Sequence, residues 1–468
     1  MTRRVPAGVA AGHPATASAG LATLNAGGNA ADAAATMVLA GSVAETLFTG
    51  LGGGGFATFY DAAAKTVTCH NFFVAVPGLD GTPLGQGTGI SVTFGGGVPV
   101  PYDVGGATVA VPGTPAGVEH LHRSHGSLEW RKVVEPARDL AAAGTEFPQQ
   151  HSALLTEVHP AFMLGAGIQA YSTDQAGERR LLLPMERLFH EGLAATLDGY
   201  ARDGAAHLMS GGFAAEFVAE VRAGGGSLSL QDLDAYQPES RPAVTVAFGS
   251  STVHLRGDDL DDMAGTLARL DVEGVAAGGV DRVLALVEAL KGPAKRSDTT
   301  SCVAVDEAGN ACAATHSLGL GSGVWVRGVH GNSMLGEGEL LRGSMVAGQK
   351  MGSMMTPLVA TDEAGELMLA GGAAGGSRIR SALLQVLTAT LLEGRTVPDA
   401  IVNPRLAFGN NLVHLEPGLP SGAPPALRNR GYEVLEWAKQ APYFGGVSMA
   451  GRTGLAADPR RGGHALLQ

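Results

Sequence analysis

Between Gly50 and Gly55 every residue except Leu51 is glycine. A backbone without Cβ atoms over that length can turn tightly and lie directly against another backbone. The run precedes Phe56-Ala57-Thr58-Phe59-Tyr60, an apolar stretch ended by Asp61 that predicts a strand. Before it, Ala15–Ala40 is almost all Ala, Leu, Val, Thr and small polar residues, broken at Gly27–Asp32. This predicts two short helices in close contact, the second capped by Asn29, and helices so poor in bulk belong in the interior. The resulting order is helix, glycine loop, strand. A dinucleotide fingerprint has the reverse order, strand first and helix after. The formal match Gly50, Gly52, Gly55 is therefore read as a tight turn and not as a nucleotide site.

The chain has 468 residues, 32 basic and 44 acidic, for a formal net charge of −12, and 45% of it is hydrophobic. That length allows up to three domains or one large α/β unit, and the composition excludes disorder. The acidic balance, without a run of Lys/Arg, argues against nucleic acid. No stretch of about 18 apolar residues is present; Leu383–Leu392 is broken by Gln385 and Thr388, so no membrane span is expected. Arg3 and Arg4 lead into Gly, Pro and His in place of an apolar signal region. Three cysteines, Cys69, Cys302 and Cys312, are an odd number and argue for a reducing compartment, so the cytoplasm is the expected location.

Residues 78–107, rich in Gly and Pro, read as a loop region. Gly113–Ala143 and most of 151–224 read as helical, Ala243–Ala247 as a strand, and Val280–Leu290 as a helix after the acidic connector Asp258–Asp262. Ser301–Val305 and Ala311–Thr315 flank Asp306-Glu307-Ala308-Gly309-Asn310, a hairpin signature. Further strands are expected within Met345–Ala360 and at Leu367–Ala370, before Gly371–Arg378 opens a helix through Leu392. His120, His122 and His125 stand two and five apart, which scatters their rings over a helix and predicts a solvated surface, not a metal site. Cys302 and Cys312, on either side of the hairpin turn, are read as reduced core thiols.

Ser297-Asp298-Thr299-Thr300-Ser301-Cys302 stands at the start of a strand after a connector. A threonine hydroxyl needs an adjacent base, and one solution is its own α-amino group, freed by cleavage of the preceding bond. That amine titrates near 7.7–8.0, close to where a general base works best. Taken alone, Asp-Thr-Thr at a strand start is more often a turn or cap.

The whole chain resembles the γ-glutamyltransferase family of N-terminal-nucleophile hydrolases. The resemblance rests on Gly27–Ala34, Glu45 with the Gly50–Phe56 run, Gly113–Gly117, Thr299-Thr300 before the hairpin with Asp306 and Gly309-Asn310, Gly375–Arg378, and Asn403-Pro404-Arg405. It implies an α/β fold, a four-layer αββα sandwich made as one precursor. Cleavage between Asp298 and Thr299 would give subunits 1–298 and 299–468, which together form one domain and pair as a heterodimer. By the same resemblance Thr299 is nucleophile and base, Ser317 the second hydroxyl, and Gly375 and Gly376 the oxyanion hole. No metal or organic cofactor is implied.

The glutamyl-binding positions depart from the family. Phe73 replaces the arginine that takes the α-carboxylate, and Gly319 stands where the family has asparagine. With Asn332 and Met334 aligned, Ser333 replaces glutamine and Gly336 the acidic residue, for which Glu337 can substitute. Ser353 is kept but Met354 replaces its partner serine. Each lost charge-assisted hydrogen bond is worth about 1.5–3 kcal/mol. The expected substrate is a small molecule with a less charged acyl group, held by an amide as in cephalosporin side chains, or by a carbon–carbon bond as in shortened family members of alkylproline-type antibiotic biosynthesis. Two alternatives are a true γ-glutamyl hydrolase or transpeptidase using glutathione, with Arg378 or Lys350 replacing the arginine, and a non-catalytic ligand-binding relative.

Overall fold

Asp306 organises the hairpin on which the molecule is built. Its carboxylate accepts from the Asn310 backbone N–H and side chain, and also from Ala30 N, the first amide of a long helix 276 residues earlier in the chain. The computed structural model describes residues 4–94, 98–175, 177–291, 299–338, 340–341, 345–409 and 411–468. The strands used below are β1 (Gly8–Ala11), β2 (Gly54–Asp61), β3 (Thr66–Phe72), β4 (Glu239–Pro242), β5 (Val244–Phe248), β6 (Ser251–Leu255), β7 (Thr300–Val305), β8 (Ala311–Ser317), β9 (Leu358–Thr361), β10 (Leu367–Ala374), β11 (Gly446–Gly451), β12 (Gly454–Ala457) and β13 (His464–Leu467). They form two antiparallel sheets, seven strands in the order β4-β3-β2-β8-β7-β1-β13 and six in the order β5-β6-β9-β10-β11-β12. The hairpin β7–β8 lies in the middle of the first.

Side-chain alternation along β7 defines the layers. Cys302 and Ala304 point to one face, where they meet α1 (Pro14–Asn25), α2 (Ala30–Ala44), α3 (Thr114–His125) and α4 (Trp130–Ala143) through Leu24, Met37, Leu39, Leu121 and Val133. Val303 and Val305 point to the other face and pack on Val359, Ala370 and Ala450 of the second sheet. The outer face of the second sheet is covered by α5 (Gly279–Ala289), α6 (Arg378–Leu387) and α7 (Val397–Val402), through Leu286, Leu383, Val386 and Ile401. This is the expected αββα sandwich.

The small-residue helices are as expected. Every residue of α2 is buried, and its start carries a full capping box: Asn29 accepts from the amides of Ala31 and Asp32, while Asp32 takes the Asn29 N–H. Asp32 also accepts from Ser127 N and Oγ, fixing the turn between α3 and α4. The glycine run is a region of close backbone approach. A Cβ on Gly53 would lie 2.2 Å from Ser317 O, and one on Gly52 2.1 Å from His330 O.

Three expectations are corrected. The region 78–107 contains a hairpin, Thr88–Phe94 with Val98–Val104. Among the described residues it pairs only with itself, so its edge tolerates a residue such as Pro101 that cannot donate to a ladder. In Met345–Ala360 only Leu358–Ala360 belongs to a strand, which runs on to Thr361, whereas the Leu367 strand continues through Gly371 to Ala374 and the helix begins at Arg378. The histidines are half-buried rather than a fully solvated surface. His125 Nε2 lies 3.0 Å from His70 Nε2 with its ring stacked on Phe59, His120 Nε2 lies 2.8 Å from Ser240 Oγ, and His122 Nε2 meets Leu128 O at 2.9 Å.

Candidate active site

Strand register brings the site together. Thr300 pairs with His316, Ser317 with Gly54, and Gly55 with Phe72. Extending each pair by one residue aligns Thr299, Ser317, Gly54 and Phe73 in a row across one end of the first sheet. Three strand spacings make that row about 14 Å long. Thr299 and Phe73 thus mark the two ends of a groove-sized span on the face that looks at the second sheet.

At one end, Thr299 is 2% exposed, and its Oγ1 accepts a hydrogen bond of 2.8 Å from Gly375 N. Gly375 leaves β10 with φ +114° and Gly376 follows with φ +58°, conformations that L side chains rarely adopt. Their carbonyls accept from Arg378 N and Ile379 N, so the pair forms the turn that leads into α6, beside its positive N-terminal dipole. A Cβ on Gly375 would approach Gly445 Cα to 2.9 Å. The Gly445 carbonyl is held at 3.0 Å by the guanidinium of Arg405, which is 1% exposed and pairs with Asp458 at 2.6 Å. Asp458 also meets Arg460, which pairs with Glu416. The motif Asn403-Pro404-Arg405 thus supplies a buried ionic brace behind Gly375 and Gly376. Ser317 Oγ accepts from Gly319 N at 3.0 Å. Asp298, on the far side of the expected cleavage bond, lies outside the described residues.

At the other end, Phe73 is 1% exposed and stacks on Phe56 with ring centroids 5.5 Å apart. Arg256 lies over the Phe56 ring at 3.6 Å and pairs with Asp258. The same apolar cluster holds Met334, Met351, Met354 and Met355. Ser353 Oγ accepts from Met355 N at 3.1 Å, and its carbonyl takes Leu260 N. Gly319 has φ +70°, and a Cβ there would stand 2.3 Å from Glu337 Oε1 and 2.6 Å from Ser333 Oγ, so these three positions converge. Ser333 Oγ accepts from Leu320 N, and Asn332 ties Gly52 and Ala110 together through four hydrogen bonds with Met334 N included.

Neither cation named as a replacement for the arginine is a simple fixed charge beside the row. Lys350 Nζ lies 3.3 Å from the Tyr236 ring centroid and 3.3 Å from Phe73 O, and burial pulls its pKa down to about 7. Arg378 stacks on Tyr443 and donates to Tyr443 O and Ser377 Oγ. Sequence reasoning missed two contributors: the Arg405–Asp458 brace, seen there only as a motif, and Arg461, whose Nη2 would lie 3.2 Å from a Cβ on Gly375. A buried arginine so far in sequence from the acid it meets, as Arg405 is from Asp458, leaves no local pattern.

A threonine hydroxyl at a strand start, met by a glycine amide from the facing sheet of an αββα sandwich, defines the class: an N-terminal-nucleophile hydrolase or acyltransferase. The gamma-glutamyltranspeptidase family model matches residues 16–260 and 280–467, and the chain belongs to that family. It is 25% identical over 491 aligned residues to acylase ACY 1 proenzyme of Pseudomonas sp. (strain V22), covering 91% of this chain and 87% of the acylase. It is 31% identical to glutathione hydrolase proenzyme 1 of Schizosaccharomyces pombe over 46% of this chain and 32% of that protein. The fold matches that of cephalosporin acylase from Bacillus halodurans, with TM-score 0.81 and 21% identity, over 99% of this chain and 96% of that one.

Proposed function

We propose that this enzyme is a self-processing acylase whose nucleophile is Thr299 and whose acyl pocket takes a group less charged than γ-glutamyl. The observation that carries the reading is the 2.8 Å hydrogen bond from Gly375 N to Thr299 Oγ1, joining two residues 76 positions apart on facing sheets. After cleavage between Asp298 and Thr299, the freed α-amine takes the proton from Oγ as that oxygen attacks the substrate carbonyl. The developing oxyanion is met by the N–H groups of Gly375 and Gly376, one such donor being worth about 3 kcal/mol. The amine then returns the proton to the leaving nitrogen, and water or a second amine resolves the ester. Ser317, opposite Thr299 in the strand register, holds the second hydroxyl.

The acyl pocket runs along the row towards Phe73, with Gly319, Ser333, Glu337, Ser353 and Met354 at the altered positions. Amide cleavage is favoured over carbon–carbon acyl cleavage because a relative matched over 91% of the chain is named an acylase proenzyme. An intact mass spectrum tests processing: fragments of 298 and 170 residues, the smaller beginning Thr299-Thr300-Ser301, are expected. Turnover of γ-glutamyl-p-nitroanilide against neutral acyl-p-nitroanilides tests the pocket, and fast γ-glutamyl release would sink that part of the reading.

A further inference from the structure

The face of β7 turned away from Thr299 Oγ meets a buried carboxyl that the reaction above does not use. Glu45 caps the C-terminus of α2 and is 1% exposed. Thr16 Oγ1 donates to it at 2.7 Å and Thr300 Oγ1 at 2.5 Å. Helix stability does not account for it, because an acid at a helix C-terminus opposes the dipole. Burial also pushes its pKa up, against the two hydroxyl hydrogen bonds. Gly12 makes room for it, since a Cβ there would lie 2.4 Å from Glu45 Oε2 and 2.8 Å from Thr300 Oγ1.

Among the described residues the neighbouring charges are few. His316, paired with Thr300 on β8, is held by Thr49 and kept neutral by burial, its pKa lowered to about 3. Cys302 is pushed up by burial, with the Glu45 charge contributing. Asp458 and Arg461 line the far wall of a cavity of about 10 Å³ that Glu45 shares with Thr299, Thr300 and Ser448. That is room for about one water.

We propose that Glu45 is a positioning residue for the nucleophile: through the Thr300 hydroxyl it clamps the start of β7, and across the shared cavity its charge acts on the Thr299 nitrogen. The inference rests on the reading of Thr299 as an N-terminal nucleophile. Covalent geometry keeps that nitrogen within about 10 Å of the carboxyl. Above its own raised pKa, where it is ionised, a carboxylate so placed raises the pKa of the amine, so its removal makes the amine a free base at lower pH.

The test follows acylation of the full-length protein's Thr299 fragment by p-nitrophenyl acetate, by mass, from pH 4 to 9. The proteins are the wild type, Glu45→Gln, Thr300→Val and Thr16→Val. Glu45→Gln is expected to slow acylation at the optimum about tenfold and to move the acidic limb down by about one pH unit. Thr300→Val is expected to slow acylation similarly while leaving the limb in place, and Thr16→Val to react as the wild type does. Wild-type rate and limb in Glu45→Gln overturn the inference. If that variant does not fold, Thr300→Val decides, and a wild-type rate there overturns it. A wild type that persists as one chain overturns the Thr299 reading and the inference with it, whereas a cleaved, reactive wild type with indistinguishable variants overturns the inference alone.

Discussion

The two ends of the Thr299–Phe73 row are built by opposite means. At the threonine end the groups are polar and mostly backbone: a hydroxyl, glycine amides and a helix N-terminus, backed by the ion pair Arg405–Asp458. At the phenylalanine end side-chain bulk dominates, with Phe56, Phe73 and the methionines of one apolar cluster. The difference teaches that chemistry and specificity are separable here. The reaction as proposed uses the Thr299 hydroxyl and the glycine amides, none of them a side chain of the apolar cluster, although that cluster also holds Ala373 and Ile379 beside the glycines.

The largest effect is expected from breaking the threonine end outright. Thr299→Ala removes the hydroxyl and should abolish both self-cleavage and turnover, a loss on the order of 10³-fold or more. The 468-residue chain should persist on a gel, and its melting temperature should stay near that of the unprocessed wild type. A variant that still turned over substrate would assign the chemistry elsewhere.

The brace comes next. Asp458→Ala leaves Arg405 buried without its carboxylate, and breaking a buried pair from one side costs about 3–5 kcal/mol. Denaturant unfolding should register that loss. Residual folded protein should also turn over more slowly, because Arg405 holds the Gly445 carbonyl against Gly375. Loss of stability with unchanged turnover would separate the brace from the site.

These two ends were unequally legible in the sequence. The hairpin and the buried α2 were readable because local signals agreed: Asp306 to Asn310 for the turn, Asn29 and Asp32 for the cap. The catalytic candidates followed from motif order. The 88–104 hairpin was hidden by its own glycines and prolines, which look like a loop wherever the ladder is not visible. The histidines of α3 misled for another reason: helical spacing scatters them, but β3 supplies His70 and β4 supplies Ser240 to gather His125 and His120. The proposed acyl pocket was legible only by subtraction, as the family's arginine and serine replaced by Phe73 and Met354. What replaced them is a cluster assembled from distant segments, and no spacing rule connects Phe56 with Met354.

A milder substitution probes that cluster. Phe73→Leu keeps an apolar side chain but loses the stack on Phe56, worth about 0.5–1.5 kcal/mol beyond area. With a neutral acyl-p-nitroanilide, KM should rise several-fold while kcat stays within a factor of two, since Thr299 and Gly375 are untouched. A fall in kcat with unchanged KM would mean that the phenylalanine end helps to orient the reacting carbonyl.

The smallest effect concerns Lys350, a cation that touches the Phe73 backbone, and its sign follows from linkage. Burial lowers the Lys350 pKa from 10.5 to about 7, with Glu239 opposing. Between pH 7 and 10.5 the unfolded chain therefore binds a proton at this site that the folded chain does not, so its contribution to stability rises with pH across that window. Below pH 7 both states are protonated and the full cost of burying the charge is felt. Lys350→Met keeps the length and removes the charge. It should raise the melting temperature by a few degrees at pH 6, with the gain shrinking steadily towards pH 10. A gain independent of pH would show that packing against Tyr236, not desolvation of the ammonium, decides the energetics of that end of the row.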